Sequence, residues 1–271
     1  MRYLALACVP LLAALAVLVV AVLFPEHRFT MVEPMIRVAK VMALYGCLVA
    51  ALSFRRDEYL FRGWAYLAAC YGLIILRDGI LHRSLFIDID TPVARWIELP
   101  VMLVANSAGV LSAWTMARAW QAGGIELPGT AATRGLVRAV TVVMAISITI
   151  PSLAVHAPHL LDGSPFPIMA VADAIADTLS MSLVAPVLLT AVGLRGSRVA
   201  WPWALLSASM FGWLCYDALY SLSSVVSMSG APLWAMGEAF RMLALVSSGA
   251  AGMAQRFVLT EGVTASRSTS G

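Results

Sequence analysis

Long apolar runs separated by short polar connections dominate this chain. A helix that crosses a bilayer needs about 20 mostly apolar residues. Eight runs approach or meet that length: 4–24, 32–54, 64–81, 97–116, 136–155, 168–194, 203–225 and 233–258. They predict an all-α polytopic membrane bundle of eight transmembrane helices. The first run follows Arg2 in the manner of a signal peptide, but no small-x-small cleavage site precedes Pro25, so a retained helix is expected. The segment 121–133, with Gly123, Gly124, Pro128 and Gly129, is the one linker-like loop between helices. Residues 259–271 are small and polar and are expected to form a disordered cytoplasmic tail.

Composition agrees with a membrane protein. Hydrophobic residues make up 61% of the chain and charged residues 12%, where a soluble domain carries about 25% charged. A net charge of +3, spread over short loops, gives no basic patch for nucleic acid. Cys8, Cys47, Cys70 and Cys215 all sit in apolar runs without a C-x-x-C pair, so neither a disulfide framework nor a zinc site is indicated. The pair His156 and His159 with Asp162 reads as a loop, since Pro158 spoils helical ligand spacing. No nucleophile elbow, zincin motif, phosphate loop or dinucleotide fingerprint occurs. No catalytic residue stands out, no cofactor is implied, and a non-enzymatic role is expected. Lys40 is the sole lysine and lies in the second run, an odd place for a retinal Schiff base.

The arginines set an orientation. Arg2, Arg55, Arg56, Arg62, Arg118, Arg134, Arg138, Arg195, Arg198, Arg256 and Arg267 fall on one side, and only Arg28, Arg83 and Arg95 on the other. Both termini are therefore expected in the cytoplasm, with the bundle in a bacterial inner membrane. Tryptophans near helix ends (Trp64, Trp96, Trp120, Trp201, Trp203, Trp234) are expected to be interfacial anchors.

The unusual residues recur when the chain is shifted by 139 or 140 positions. Glu33 then falls on Asp173, Arg37 on Asp177 and Arg55 on Arg195. W-A-x-L-x-A begins at Trp64 and at Trp203, and each copy reaches an aspartate, Asp78 or Asp217, fourteen residues on. Glu98, Ser107 and Gly109 repeat as Glu238, Ser247 and Gly249. Two parallel four-helix repeats, 1–135 and 136–258, are expected, related by an axis along the membrane normal.

The charges within the runs lie toward the outer side. Asp177 and Asp217 stand roughly 20–27 Å from the arginine-rich ends of their helices at 1.5 Å per residue. Glu33, Asp78, Glu98, Asp173, Asp177, Asp217 and Glu238 thus accompany Arg37, Lys40, Arg77 and Arg241. Intramembrane ionisable residues are by default candidates for function. Glu33 with Arg37, and Glu238 with Arg241, can pair within their helices. Arg77 and Asp78 are adjacent and are expected to point apart. The expected site is one outward polar pocket lined by Glu33, Arg37, Arg77, Asp78, Glu98, Asp173, Asp177 and Asp217, completed by Glu238 and Arg241, with a small cationic or hydrogen-bonding ligand or ion as guest. The excess of acids also makes proton coupling physically open. A bridge from Arg37 to Asp177 across the pseudo-axis is the structural alternative. The small stretch 247–252, SSGAAG, suits close helix contact within the bundle or between protomers.

FPIMAVADAIADTL, an arginine turn and WALLSASMFGWLCYDALY together resemble the multi-helix membrane regions of bacterial sensor proteins. Those regions precede histidine-kinase or diguanylate-cyclase output domains and pair an early acid in one helix with a Trp-to-Asp spacing in the next. The resemblance implies a membrane sensor. No kinase, cyclase or coiled coil follows Val258 here, so signalling through a protein partner is expected. A small secondary transporter or proton-coupled carrier, and an accessory subunit of a membrane complex, are the alternatives.

Overall fold

The computed structural model describes residues 2–81, 92–226 and 231–268. Ten α-helices are found there: α1 (Arg2–Leu23), α2 (Arg28–Ala51), α3 (Tyr59–Leu81), α4 (Pro92–Ala117), α5 (Ala119–Ala122), α6 (Ala131–His156), α7 (Pro165–Ser182), α8 (Val184–Gly193), α9 (Ala200–Val226) and α10 (Ala231–Ser268). Seven stretches are long and apolar enough to cross a membrane, with α7 and α8 together forming one of them. The α9 helix has 27 residues, but its serines, tyrosines, tryptophans and Asp217 dilute its apolar content. The predicted all-α membrane architecture is therefore present.

The boundaries differ from expectation in two places. The run 168–194 is broken at Leu183, where α7 ends and α8 begins. Pro186 explains the break, because a proline removes the bond to the carbonyl four residues back, here that of Ser182, and its ring crowds that carbonyl. The last helix continues to Ser268, so the backbone of the polar tail is helical well past Val258. Thr130 starts α6 cleanly, its hydroxyl accepting the backbone N–H of Thr133 at 3.2 Å.

Burial separates the helices into an inner and an outer set. Most of the apolar positions of α1 and α6 are exposed, including Leu11, Leu12, Val140 and Val143. In a bilayer such faces meet lipid. The α10 helix is the most buried of the spans and packs against α1, α2 and α9. The α3 helix lies between α2 and α4, and α4 in turn packs on α7.

Glycine sets the closest approach. A Cβ at Gly46 of α2 would overlap the backbone of Gly249 on α10. One at Gly252 would overlap the carbonyl of Gly46, and one at Gly249 would come within 2.7 Å of the Met42 carbonyl. Gly249 and Gly252 are three apart and share a helix face. The two backbones thus touch, as small residues allow inside a membrane. The SSGAAG stretch is spent within the bundle. On the neighbouring face of α10, a Cβ at Gly212 of α9 would lie 2.9 Å from the Phe240 carbonyl.

Two tryptophans read as interfacial anchors are core residues. Trp64 is 2% exposed and Trp203 5%. Both belong to one apolar cluster with Cys47, Met116, Val187 and Leu245. Position near a helix end fixes depth but not the direction in which a ring points. Trp96 does stand half exposed.

Gly46→Ala is expected to lower the thermal unfolding midpoint of the solubilised protein, at a cost of about 1–3 kcal/mol from overpacking. Gly79→Ala adds a methyl that meets nothing within 4 Å and is expected to leave the midpoint unchanged. Equal midpoints would remove the crossing from its structural role.

Candidate functional site

The carboxylates do not share one pocket. Five of the seven divide between two cavities of different character, and Glu98 and Asp173 line neither. The first is a vestibule of about 350 Å³, lined by Phe29, Glu33, Arg37 and Lys40 of α2, Arg77 and Asp78 of α3, and Trp234, Glu238 and Arg241 of α10. It lies where α2 and α10 begin and α3 approaches its end. The rim holds Phe29 against Trp234, with ring centroids 4.7 Å apart. The Arg28 guanidinium lies over both rings, at 4.9 and 5.5 Å.

Charges in the vestibule are paired. Lys40, buried in α2, donates to Asp78 Oδ2 across the helix interface. Arg77 Nη2 donates to Asp78 Oδ1 at 2.7 Å, so these adjacent residues do not point apart as expected. The long arginine side chain folds back onto the carboxylate, while its Nη1 approaches Glu98 Oε1 at 3.9 Å. Glu98, buried in α4, also accepts from Arg95 Nη1 at 3.2 Å. Arg241 Nη1 donates to Glu238 at 3.3 Å, and Arg37 Nη2 to Glu33 at 2.5 Å. Arg37 therefore bonds within α2, where its neighbour one turn back is the nearest acid, rather than bridging to Asp177.

The second cavity, of about 240 Å³, lies among α3, α4, α7 and α9, with Ser248 of α10 on its wall. Asp177 and Asp217 line it, together with Ser180, Cys70, Tyr71 and Trp213. Asp173 adjoins it, accepting a hydrogen bond from Asn106 Nδ2 at 2.5 Å, and Asn106 is itself a wall residue. The three aspartates are close enough to repel one another when ionised. Among the described residues, no lysine or arginine lines this chamber. Among the described residues, Asp177 and Asp217 make neither a hydrogen bond nor an ion pair. Arg77 acts on Asp173 and Arg241 on Asp217 through space, but the carboxylates they hydrogen-bond are Asp78 and Glu238 on the vestibule side.

Beneath the acids the chamber wall carries hydroxyls. The Ser248 hydroxyl lies 2.7 Å from the Tyr71 hydroxyl and 2.7 Å from that of Ser209. Ser112 donates to the Gly63 carbonyl at 2.9 Å. The wall continues to Met116 and Leu206, near the ends of α4 and α9 that bear the arginine-rich loops.

Several of these residues were not singled out by the sequence pattern. Lys40 carries a usable signal, because it stands seven after Glu33 and three after Arg37 and so lies on their helix face. Asn106, Tyr71, Ser180, Ser209 and Ser248 carry none, since serines and tyrosines are common in such helices. Ser107 and Ser247, 140 residues apart, differ: Ser107 is exposed and donates to the Leu103 carbonyl at 2.7 Å, whereas Ser247 is fully buried. Of the histidines, His159 Nδ1 pairs with Asp162 at 2.7 Å and His156 packs edge-on against Phe166. His82 and Arg83 lie outside the described residues.

Comparison with family models, curated proteins and solved structures finds no match to this chain.

Lys40→Ala removes one of the two cations on Asp78 and leaves Arg77 on its other oxygen, so it is expected to destabilise the solubilised protein by about 1–3 kcal/mol, the worth of a hydrogen bond to a charged group. Asp78→Leu leaves both Lys40 and Arg77 without that carboxylate and is expected to cost more, about 3–5 kcal/mol. A denaturation series over the variants decides. A loss below about 1 kcal/mol for Lys40→Ala is what a surface pair would give and would contradict the buried network.

Proposed function

We propose that this protein is a non-enzymatic ligand-binding membrane sensor module whose site is the chamber holding Asp177 and Asp217, and whose guest carries positive charge. One observation carries the reading: the acids of the vestibule are matched by cations of the chain, and those of the chamber are not. Unmatched ionised carboxylates in a low-dielectric space are costly. A cationic guest or protons must supply the balance.

The 139–140 offset gives the two cavities a common origin. In this reading α2, α3 and α10 of the vestibule correspond to α7, α9 and α4 of the chamber. The helix contacts fit that exchange, because α2 packs on α10 as α7 packs on α4, and α3 on α4 as α9 on α10. The chamber sits where α7 and α9 of one half meet α3 and α4 of the other. A guest there bears on how the halves meet. The arginine turns at the far end, Arg195 to Arg198 among them, are the surface through which a protein partner would read that change. The sidedness follows from the arginine count, with this surface in the bacterial cytoplasm.

A carrier is the second reading. It is favoured by the Tyr71, Ser248 and Ser209 hydroxyls that continue below the acids. The paired vestibule alone would suit an accessory subunit, but such a role leaves the unmatched chamber without purpose.

The test uses full-length protein in lipid nanodiscs and a panel of sodium, potassium, tetramethylammonium, n-hexylamine and spermidine at neutral pH. At least one cation is expected to raise the unfolding midpoint. A ligand at 100 times its Kd contributes about 2.7 kcal/mol. Asp177→Asn with Asp217→Asn is expected to abolish the rise. No response to any cation, or an unchanged response in the double variant, would overturn the reading.

A further inference from the structure

The vestibule shows how this fold neutralises an aspartate at the Trp-to-Asp position. Asp78 is met by the ammonium of Lys40, a primary amine at the end of an aliphatic chain that is buried against α3. The matching aspartate in the chamber is Asp217, and the residue matching Lys40 is Ser180. Ser180 and Asp217 both line the chamber. Resting on the ligand-binding reading above, we propose that the guest is a primary alkylammonium, taking in the second half the place that the Lys40 side chain takes in the first.

The wall chemistry fits that class. An R–NH₃⁺ group presents three donors and no acceptor. Asp177, Asp217 and Ser180, all in the chamber lining, carry acceptor oxygens. A quaternary ammonium has no N–H to give them, and a carboxylate accepting no hydrogen bond gains little from it. Below the acids most of the wall is apolar or aromatic, with Leu67, Ile74, Met181, Met210 and Trp213 beside the Tyr71, Ser248 and Ser209 hydroxyls, which are already engaged with one another. The chamber runs from Asp217 to Leu206 along α9, roughly 16 Å at 1.5 Å per residue. A volume of 240 Å³ over that length is a slot suited to an extended chain. The guest is thus an amine with an unbranched apolar tail, head on the aspartates and tail toward Met116.

The balance of charge supports one or two ammonium groups and no more. Of the three aspartates, Asp173 already accepts from Asn106 at 2.5 Å. Arg77 and Arg241 contribute through space to Asp173 and Asp217. Asp177 and Asp217 are left to share the guest.

Binding is measured in nanodiscs by unfolding midpoint and by Trp fluorescence, with n-butylamine to n-octylamine against tetraethylammonium, sodium and the matching alcohols. Primary amines are expected to bind at least about tenfold tighter than tetraethylammonium, the worth of hydrogen bonds to a charged group. Each added methylene is expected to tighten binding about fourfold. The alcohols report partition into lipid and are expected to show no Asp177 and Asp217 dependence. Ser180→Lys, which supplies the ammonium in cis, is expected to abolish amine binding. Equal or better binding of tetraethylammonium or sodium would overturn the alkylammonium assignment and leave the cation-binding reading intact. Amine binding that survives in Ser180→Lys would likewise overturn it. No response to any cation would overturn both. If Ser180→Lys does not fold, the ligand series on the unaltered protein decides alone.

Discussion

Backbone contact between α2 and α10 is the constraint on which the rest of this bundle depends. Lipid offers helices no hydrophobic drive to associate, so close packing has to supply the attraction. Gly46, Gly249 and Gly252 let two helices touch without side chains between them. That contact brings Lys40 on α2 and Arg241 on α10 to one vestibule, with Asp78 of α3 between them. It also sets the same side of α10 two turns further on, where Ser248 reaches Tyr71 and Ser209. Vestibule and chamber are therefore two levels along one packed element. Gly212 extends the same device to α9, which carries Asp217.

Electrostatics then distinguishes the two cavities. Inside a membrane a carboxylate needs a partner, a proton or water. The vestibule meets that need with residues of the chain, through Lys40, Arg77 and Arg241. The chamber has the same aspartate position and a similar helix arrangement, but Ser180 and Tyr216 stand where Lys40 and Arg77 would be. Asp177 stands where Arg37 would be, adding an acid and removing a cation. Read as a duplication, the 139–140 offset would make one half structural and the other ligand-binding, which is the basis of the proposed sensor function.

Much of this was legible in the sequence because the bilayer demands it. Span length needs twenty apolar residues, and rare charges within such spans are conspicuous, so both helix positions and candidate acids could be read directly. Pro186 is a cue to the break at Leu183, but Pro10, Pro100 and Pro151 lie inside unbroken helices, so the cue alone did not locate it. What could not be read is which helices are neighbours and how each is rotated. The division of five of the seven acids between two cavities, with Glu98 and Asp173 in neither lining, depends on both. So does the burial of Trp64 and Trp203, whose depth suggested an interface and whose rotation places them in the core. Arg77 bonding to its own neighbour Asp78 shows a further gap: spacing rules describe where Cβ atoms point, and a long guanidinium reaches past them. Lys40 was the one missed residue with a usable signal, lying on the face of Glu33 and Arg37.

The central claim is that positive charge enters between α7 and α9 rather than at the vestibule or the lipid-facing surface. Photolabelling tests it most directly. An n-hexylamine bearing a diazirine on its tail would be irradiated with the full-length protein in nanodiscs, and the labelled residues located by mass spectrometry. The account predicts label on chamber residues such as Met181, Met210 and Trp213, displaced by excess n-hexylamine. Label confined to α1 and α6, or to the vestibule residues Phe29 and Trp234, would contradict it.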